Sequence, residues 1–290
     1  MRTSIKLLVV AFLLPAVFRT ASAHPGVGIV MDRKGNVFYT DLKQVWKISP
    51  DGRKAVAVRN VHTHELYIDN FDNLYGEHLR YEGGSTDRWW HRVWKLSHDG
   101  TLIDLIPDRQ GFLDDYNDFQ FVHDAQGSFF WAARGDTTFI RRRSPDGTVI
   151  TIAAAKFRDV RWMTATADGT VFLTDLYDLV RVTPDGVVKT IARGLASWNV
   201  NRLTGPDRHA IMGLWTDARE NVYAAVFADH AVKKIQPDGR VTTVVHSKSP
   251  WSPTGGLVAP NGDLWILECS ATNAVRVRRI GPAGQVRVFH

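Results

Sequence analysis

Along the chain, short apolar and β-branched runs alternate with polar clusters, and the polar clusters repeat in kind. Pro50-Asp51-Gly52 recurs as His98-Asp99-Gly100, Pro145-Asp146-Gly147, Pro184-Asp185-Gly186, Pro237-Asp238-Gly239 and Pro282-Ala283-Gly284, at separations of 48, 47, 39, 53 and 45 residues. Each follows a strand-like run (VWKIS, VWKLS, FIRRRS, LVRVT, AVKKIQ, AVRVRRI) and precedes another (KAVAV, TLIDLI, TVITIA, VVKTIA, VTTVV, QVRVF). Asp-Gly between two such runs is a strong hairpin signal. A second hairpin lies upstream in every unit, with turns at Gly35-Asn36, Asp72-Asn73, Gln126-Gly127, Asp168-Gly169, Glu220-Asn221 and Asn261-Gly262. Six units of four short strands, with no amphipathic helical run between them, predict an all-β fold: a six-bladed β-propeller of four-stranded antiparallel blades. A lone unit cannot bury both faces, so residues 24–290 are expected to form one domain. The first unit starts with its own inner strand near Gly28 and the last ends with its own outer strand. Blade one should then pack on blade six without a shared blade.

Strand direction alternates within a blade, which sorts the connections. The tight turns fall on one face. The long connections, 59–65, 79–92, 107–118, 193–209 and 246–254, fall on the other, and long loops on a rigid scaffold are where binding groups concentrate. They carry Tyr81, Trp89, Trp90, His91, Tyr116, Trp198 and Trp251. Aligning the units puts Val27, His64, Phe119, Arg161, Met212 and Thr254 in one column at the mouth. The next column holds Gly28, Glu65, Gln120, Trp162, Gly213 and Gly255. At the exit of the second strands stand Asp41, His78, Ala133, Asp175, Val226 and Glu268. Asp118, Asp159 and His209 lie just upstream on the same side.

Blade two stands out, because only it places imidazoles in these columns. His64, Glu65, His78 and Glu268 are the candidate ligands of a divalent cation (Ca, Mg, Mn or Zn), since imidazole and carboxylate from different blades suit a hard or borderline ion. With His209 they are also the candidate catalytic groups. Arg161, Asp118, Tyr81, Trp89, Trp90, Trp198 and Trp251 are the candidate ligand contacts. The acids at Asp41 and Asp175 have a structural alternative: bonding the backbone N–H groups of their own loops.

Composition changes little. The chain is 44% hydrophobic and 23% charged, with a net charge of +6. The charge is dispersed, and even Arg141-Arg142-Arg143 reads as a solvated outer strand, so no nucleic-acid partner is expected. Arg2 and Lys6, the apolar run from Leu7 to Phe18, and Ala21-Ser22-Ala23 read as a secretory signal peptide over residues 1–23, implying export to the periplasm or beyond. No later stretch is long enough to span a membrane. Cleavage after Ala23 would expose His24, whose amine and ring could chelate copper. One cysteine, Cys269, permits no internal disulfide.

The unit pattern G-I-x-x-D-x-x-G-N, carried by Gly28-Ile29-Val30-Met31-Asp32 with Gly35-Asn36-Val37 and by Gly213-Leu214-Trp215-Thr216-Asp217 with Asn221-Val222, resembles the NHL repeat. Over the whole mature chain the sequence is similar to the group of NHL-repeat, gluconolactonase-like and streptogramin-lyase-like propellers. That resemblance implies three kinds of activity. A metal-dependent lactonase would use Glu65, with Asn117 or Asn199. A lyase would use His and Glu at the mouth, its strand phrase matched by Leu264-Trp265-Ile266-Leu267-Glu268. A non-catalytic propeller would bind a protein or glycan through its tryptophan-bearing loops. The leading expectation is a mouth that binds a small polar or sugar-like molecule, with lactonase-type hydrolysis as the favoured chemistry.

Overall fold

In the computed structural model, which describes residues 25–83, 88–111, 118–197 and 209–290, neighbouring strands pair in chain order into six four-stranded antiparallel sheets. The blades cover residues 29–59, 66–110, 122–155, 160–192, 213–246 and 251–289, and no described residue is helical. This is the expected six-bladed propeller. Among the described residues no helix is long and apolar enough to cross a membrane. The expected leader and His24 lie outside the described residues, as do Asn117, Tyr116, Trp198 and Asn199.

Burial grades outward through each blade. Second strands such as Val37–Thr40 and Val222–Val226 are buried at every residue, because both faces of the sheet meet a neighbouring blade. Fourth strands such as Val241–His246 and Val286–Phe289 are mostly exposed. The core is accordingly distributed over the seams between blades. Phe130, Ile140 and Leu173 fill the seam of blades three and four, and Tyr177, Leu179, Val222 and Ile235 fill that of four and five. Ring closure is one more seam of the same kind: Ile29, Val37, Tyr39 and Ile48 of blade one pack on Trp265, Leu267, Val277 and Phe289 of blade six. No strand is shared.

The repeated Asp and Asn of the first hairpin have one physical role. Asp217 accepts hydrogen bonds from the Arg219 and Asn221 amides, the Asn221 side chain (2.8 Å) and the Tyr223 hydroxyl (3.0 Å). Asp69 does the same with Phe71, Asn73 and Tyr75. Burial would raise the carboxyl pKa of Asp217, but these donors hold it below the ordinary aspartate value. Asp217→Ala would strand the buried Asn221 side chain and Tyr223 hydroxyl, at about 2 kcal/mol. Chemical denaturation should show that loss. An equally stable variant would mean the turn is held by its backbone alone.

Candidate functional site

The ring is not evenly tight at its centre. In blades one, five and six the second mouth column is glycine. A Cβ at Gly213 would lie 2.6 Å from the Thr254 carbonyl oxygen, one at Gly28 2.7 Å from the Leu66 amide nitrogen, and one at Gly255 would collide with Val27. These inner strands approach as only glycine allows. In blades two, three and four the same column carries Glu65, Gln120 and Trp162, and beside them the mouth opens. A cavity of about 450 Å³ lies there, lined by His64, Glu65, Glu77, Leu79, Arg134, Asp159, Val160, Arg161, Trp162 and His209. Glu65 and Trp162 also line the axial channel of about 260 Å³, walled by the inner strands.

On the blade-two wall, His64 Nδ1 stands 3.4 Å from Glu77 Oε1, with both side chains largely shielded from solvent. Both backbones are fixed. The Val27 and Gly28 amides donate to the His64 carbonyl at 2.8 Å. The Trp94 indole (2.9 Å) and the Thr63 hydroxyl donate to the Glu77 carbonyl, and the Thr40 hydroxyl donates to Thr63 at 2.6 Å. Gly76 leaves the room that the Trp94 ring occupies. The His62 ring meets the His64 ring edge-on, centroids 4.7 Å apart. Burial lowers the pKa of His62, and neighbouring His64 lowers it further, against an opposing pull from Glu77.

The blade-four wall is built by a bulge. Val160 pairs with Asp175 and Met163 with Leu173, so Arg161 and Trp162 together oppose the single residue Thr174. Strict alternation would send these two side chains to opposite faces; the bulge re-aims them and both line the cavity. Arg161 Nε lies 3.1 Å from Asp159 Oδ2, Trp162 Nε1 donates to the Ile211 carbonyl at 2.6 Å, and Arg134 Nε donates to the Val160 carbonyl at 2.7 Å.

His64, Glu65, His209 and Arg161 of the expected residues thus meet in one cavity, but the four expected metal ligands are not gathered. His78 points away: its Nδ1 accepts the His62 amide at 2.9 Å, and burial followed by Arg92 lowers its pKa. Glu268 is fully buried elsewhere. Its Oε1 accepts from Ser247 (2.5 Å) and Arg278 (2.7 Å), and its Oε2 from Arg276 (2.7 Å). Trp251 lies under the Arg276 guanidinium at 4.2 Å, and Asp118 pairs with Arg109. Among the described residues no group of three or more His, Cys, Asp or Glu is arranged to hold a metal. Asp41 takes the structural alternative, accepting the Lys43 and Gln44 amides, and Asp175 likewise accepts those of Arg158 and Asp159.

Glu77 and Arg134 were not among the expected site residues. For Glu77 a signal existed one column earlier, where the equivalents are Thr40, Ala132, Thr174, Ala225 and Leu267: it is the one charged residue of the six. Arg134 follows the end of its strand and shows no such mark.

No family model matches the chain, and no curated protein does. Solved structures do. A glucose dehydrogenase superposes with a TM-score of 0.59 at 12% identity, over 89% of this chain and 98% of the other. A protein described as a putative gluconolactonase gives 0.55 at 15% identity, over 91% and 90%. Regucalcin from Agrobacterium tumefaciens, described as calcium-binding, gives 0.53 at 16% identity, over 84% and 81%. What they share with this chain is the propeller fold.

Proposed function

We propose that the mouth cavity takes a small polar, sugar-like molecule with an ester or lactone group, and that His64 and Glu77 act as a proton-transfer pair on it. The observation carrying this is the His64–Glu77 approach within a cavity whose opposite wall presents Arg161. A carboxylate facing Nδ1 favours the proton on that nitrogen and leaves Nε2 as the base. Nε2 would take a proton from a water attacking the carbonyl carbon, and Glu77 would stabilise the imidazolium formed; the tetrahedral adduct would then collapse with cleavage of the acyl C–O bond, the imidazolium returning its proton to the departing oxygen. Arg161, tethered to Asp159 through Nε, offers its remaining N–H groups to the developing oxyanion. The Trp162 ring supplies an apolar wall, and mixed apolar and convergent polar lining is the usual make-up of small-molecule sites.

The regucalcin and gluconolactonase neighbours raise the question of a metal. The donor set that the described residues offer does not fit calcium. Calcium takes six to eight oxygens, whereas Glu77 faces His64, Asp159 is tied to Arg161, and Arg134 adds a second guanidinium to the same walls. No step is therefore routed through a metal.

A panel of aldonolactones and sugar esters, followed by acid release, tests the reading. His64→Ala should lower turnover about 10²–10⁴-fold, and Arg161→Ala should weaken both binding and turnover. Full activity in His64→Ala would sink the acid–base assignment. Ligand binding without turnover, unchanged in His64→Ala, would leave a binding propeller instead.

A further inference from the structure

Blade two is taller than its neighbours on the mouth side. Its second, third and fourth strands, Leu74–Tyr81, Trp89–Leu96 and Leu102–Gln110, run 8, 8 and 9 residues. The second strands of the other blades have 4 to 7. The extra length forms a three-stranded tongue that continues the cavity wall upward. Side chains two apart on a strand share a face, so Tyr81 lies on the face of Glu77 and Leu79, both of which line the cavity. Trp89 is its direct cross-strand partner. The two rings lie 4.8 Å apart, and Tyr81 is 48% exposed. Four residues of strand place this aromatic pair about 13 Å above Glu77. The other face of the tongue is closed on itself: Arg80 covers Trp90 and pairs with Asp108, and Arg92 pairs with Asp104.

From this continuity we infer that Tyr81 and Trp89 form an outer subsite, and that the ligand of the mouth is an oligosaccharide rather than a single sugar. The inference rests on the proposed function. A pyranose ring has an apolar C–H face that stacks on an aromatic ring and a rim of hydroxyls that seeks planar polar groups. The tongue supplies both on its cavity-side face: the Tyr81 and Trp89 rings, and Arg109 with Asp118. A purely apolar partner would strip water from the Arg109–Asp118 pair and offer no hydrogen bonds in return. The spacing allows one unit at the His64–Glu77 pair, with the chain climbing the wall to the aromatic pair.

Calorimetric titration of uronic-acid and neutral oligosaccharides of one to six units tests this. For the native chain, trimers and longer oligomers should bind at least tenfold tighter than the monomer. Tyr81→Ala, at an exposed position, should reduce that gain to within twofold while leaving monomer affinity unchanged, and Tyr81→Phe should restore it. Trimers no tighter than the monomer, or a length gain untouched by Tyr81→Ala, would overturn the subsite while leaving the mouth reading intact, because loss of monomer binding in Arg161→Ala reports the mouth separately. Failure of every sugar at any length would overturn both and give the platform to another class of partner.

Discussion

Replacing Glu268 with alanine will cost the fold about 3–5 kcal/mol and leave ligand binding at the mouth intact. The carboxylate has no exposed surface and is the shared partner of Arg276 and Arg278. Both guanidiniums are largely buried, with side-chain exposures of 16% and 14%. Removing the anion would strand two like charges in a low-dielectric seam and take away the acceptor of the Ser247 O–H, whose oxygen keeps its bond from Arg278. Glu268→Gln would keep the shape and lose the charge, so it should be destabilising by a smaller amount. Thermal melts would show the loss as a drop on the order of 10 °C. A Glu268→Ala protein with native stability but weakened ligand binding would return this residue to the mouth.

Acid should weaken the fold through a second buried group. His123 stacks on Tyr67 across the seam of blades two and three, centroids 3.7 Å apart and planes within 6°. Its Nε2 meets the Gln120 carbonyl at 2.6 Å, and its remaining exposure is to the axial channel. Burial pushes its pKa down to about 4 from 6.5, against opposing pulls from Gln120, Asp124 and Asp69. The sign follows directly. Between pH 4 and 6.5 the unfolded chain binds this proton and the folded chain does not. Stability is therefore complete above pH 6.5 and falls as the pH drops toward 4, by roughly 3 kcal/mol from this residue alone. His62 and His78, whose values are also lowered, add loss of the same sign. The hairpin aspartates contribute only below their ordinary value of 3.8. Denaturant titrations at pH 7.5 and 4.5 should show this loss for the native chain and a much smaller one for His123→Phe, which keeps the stack. An identical acid loss in that variant would acquit His123.

The fold was legible because its punctuation is local. An Asp that gathers the donors of its own turn, and a Gly after Asp two strands later, need nothing from the rest of the chain. The loop-rich face was legible for the same reason, since loop length sorts by strand direction. The candidate cavity was only half visible. His64, Glu65 and Arg161 fall in columns that line it. Glu77 escaped because strand period two makes a one-residue choice of column a choice of face, and His78 was taken in its place. The blade-four bulge has no marker in the residues around Arg161 and Trp162. Glu268 was misplaced because its role depends on register: Arg276 is its cross-strand partner and Arg278 the diagonal one, a relation that opposite charges at 268, 276 and 278 hint at only once the pairing is known.

The seam between blades one and six has a consequence for how such a chain can change over generations. No blade is assembled from distant stretches of sequence, so each corresponds to one unbroken segment of the coding sequence. Duplication, loss or exchange of such a segment delivers a finished blade, and the seams on either side are of the same kind as those already present. Blade two, with its tongue and its imidazoles, is likewise one continuous segment, and it takes no part in the seam that closes the ring.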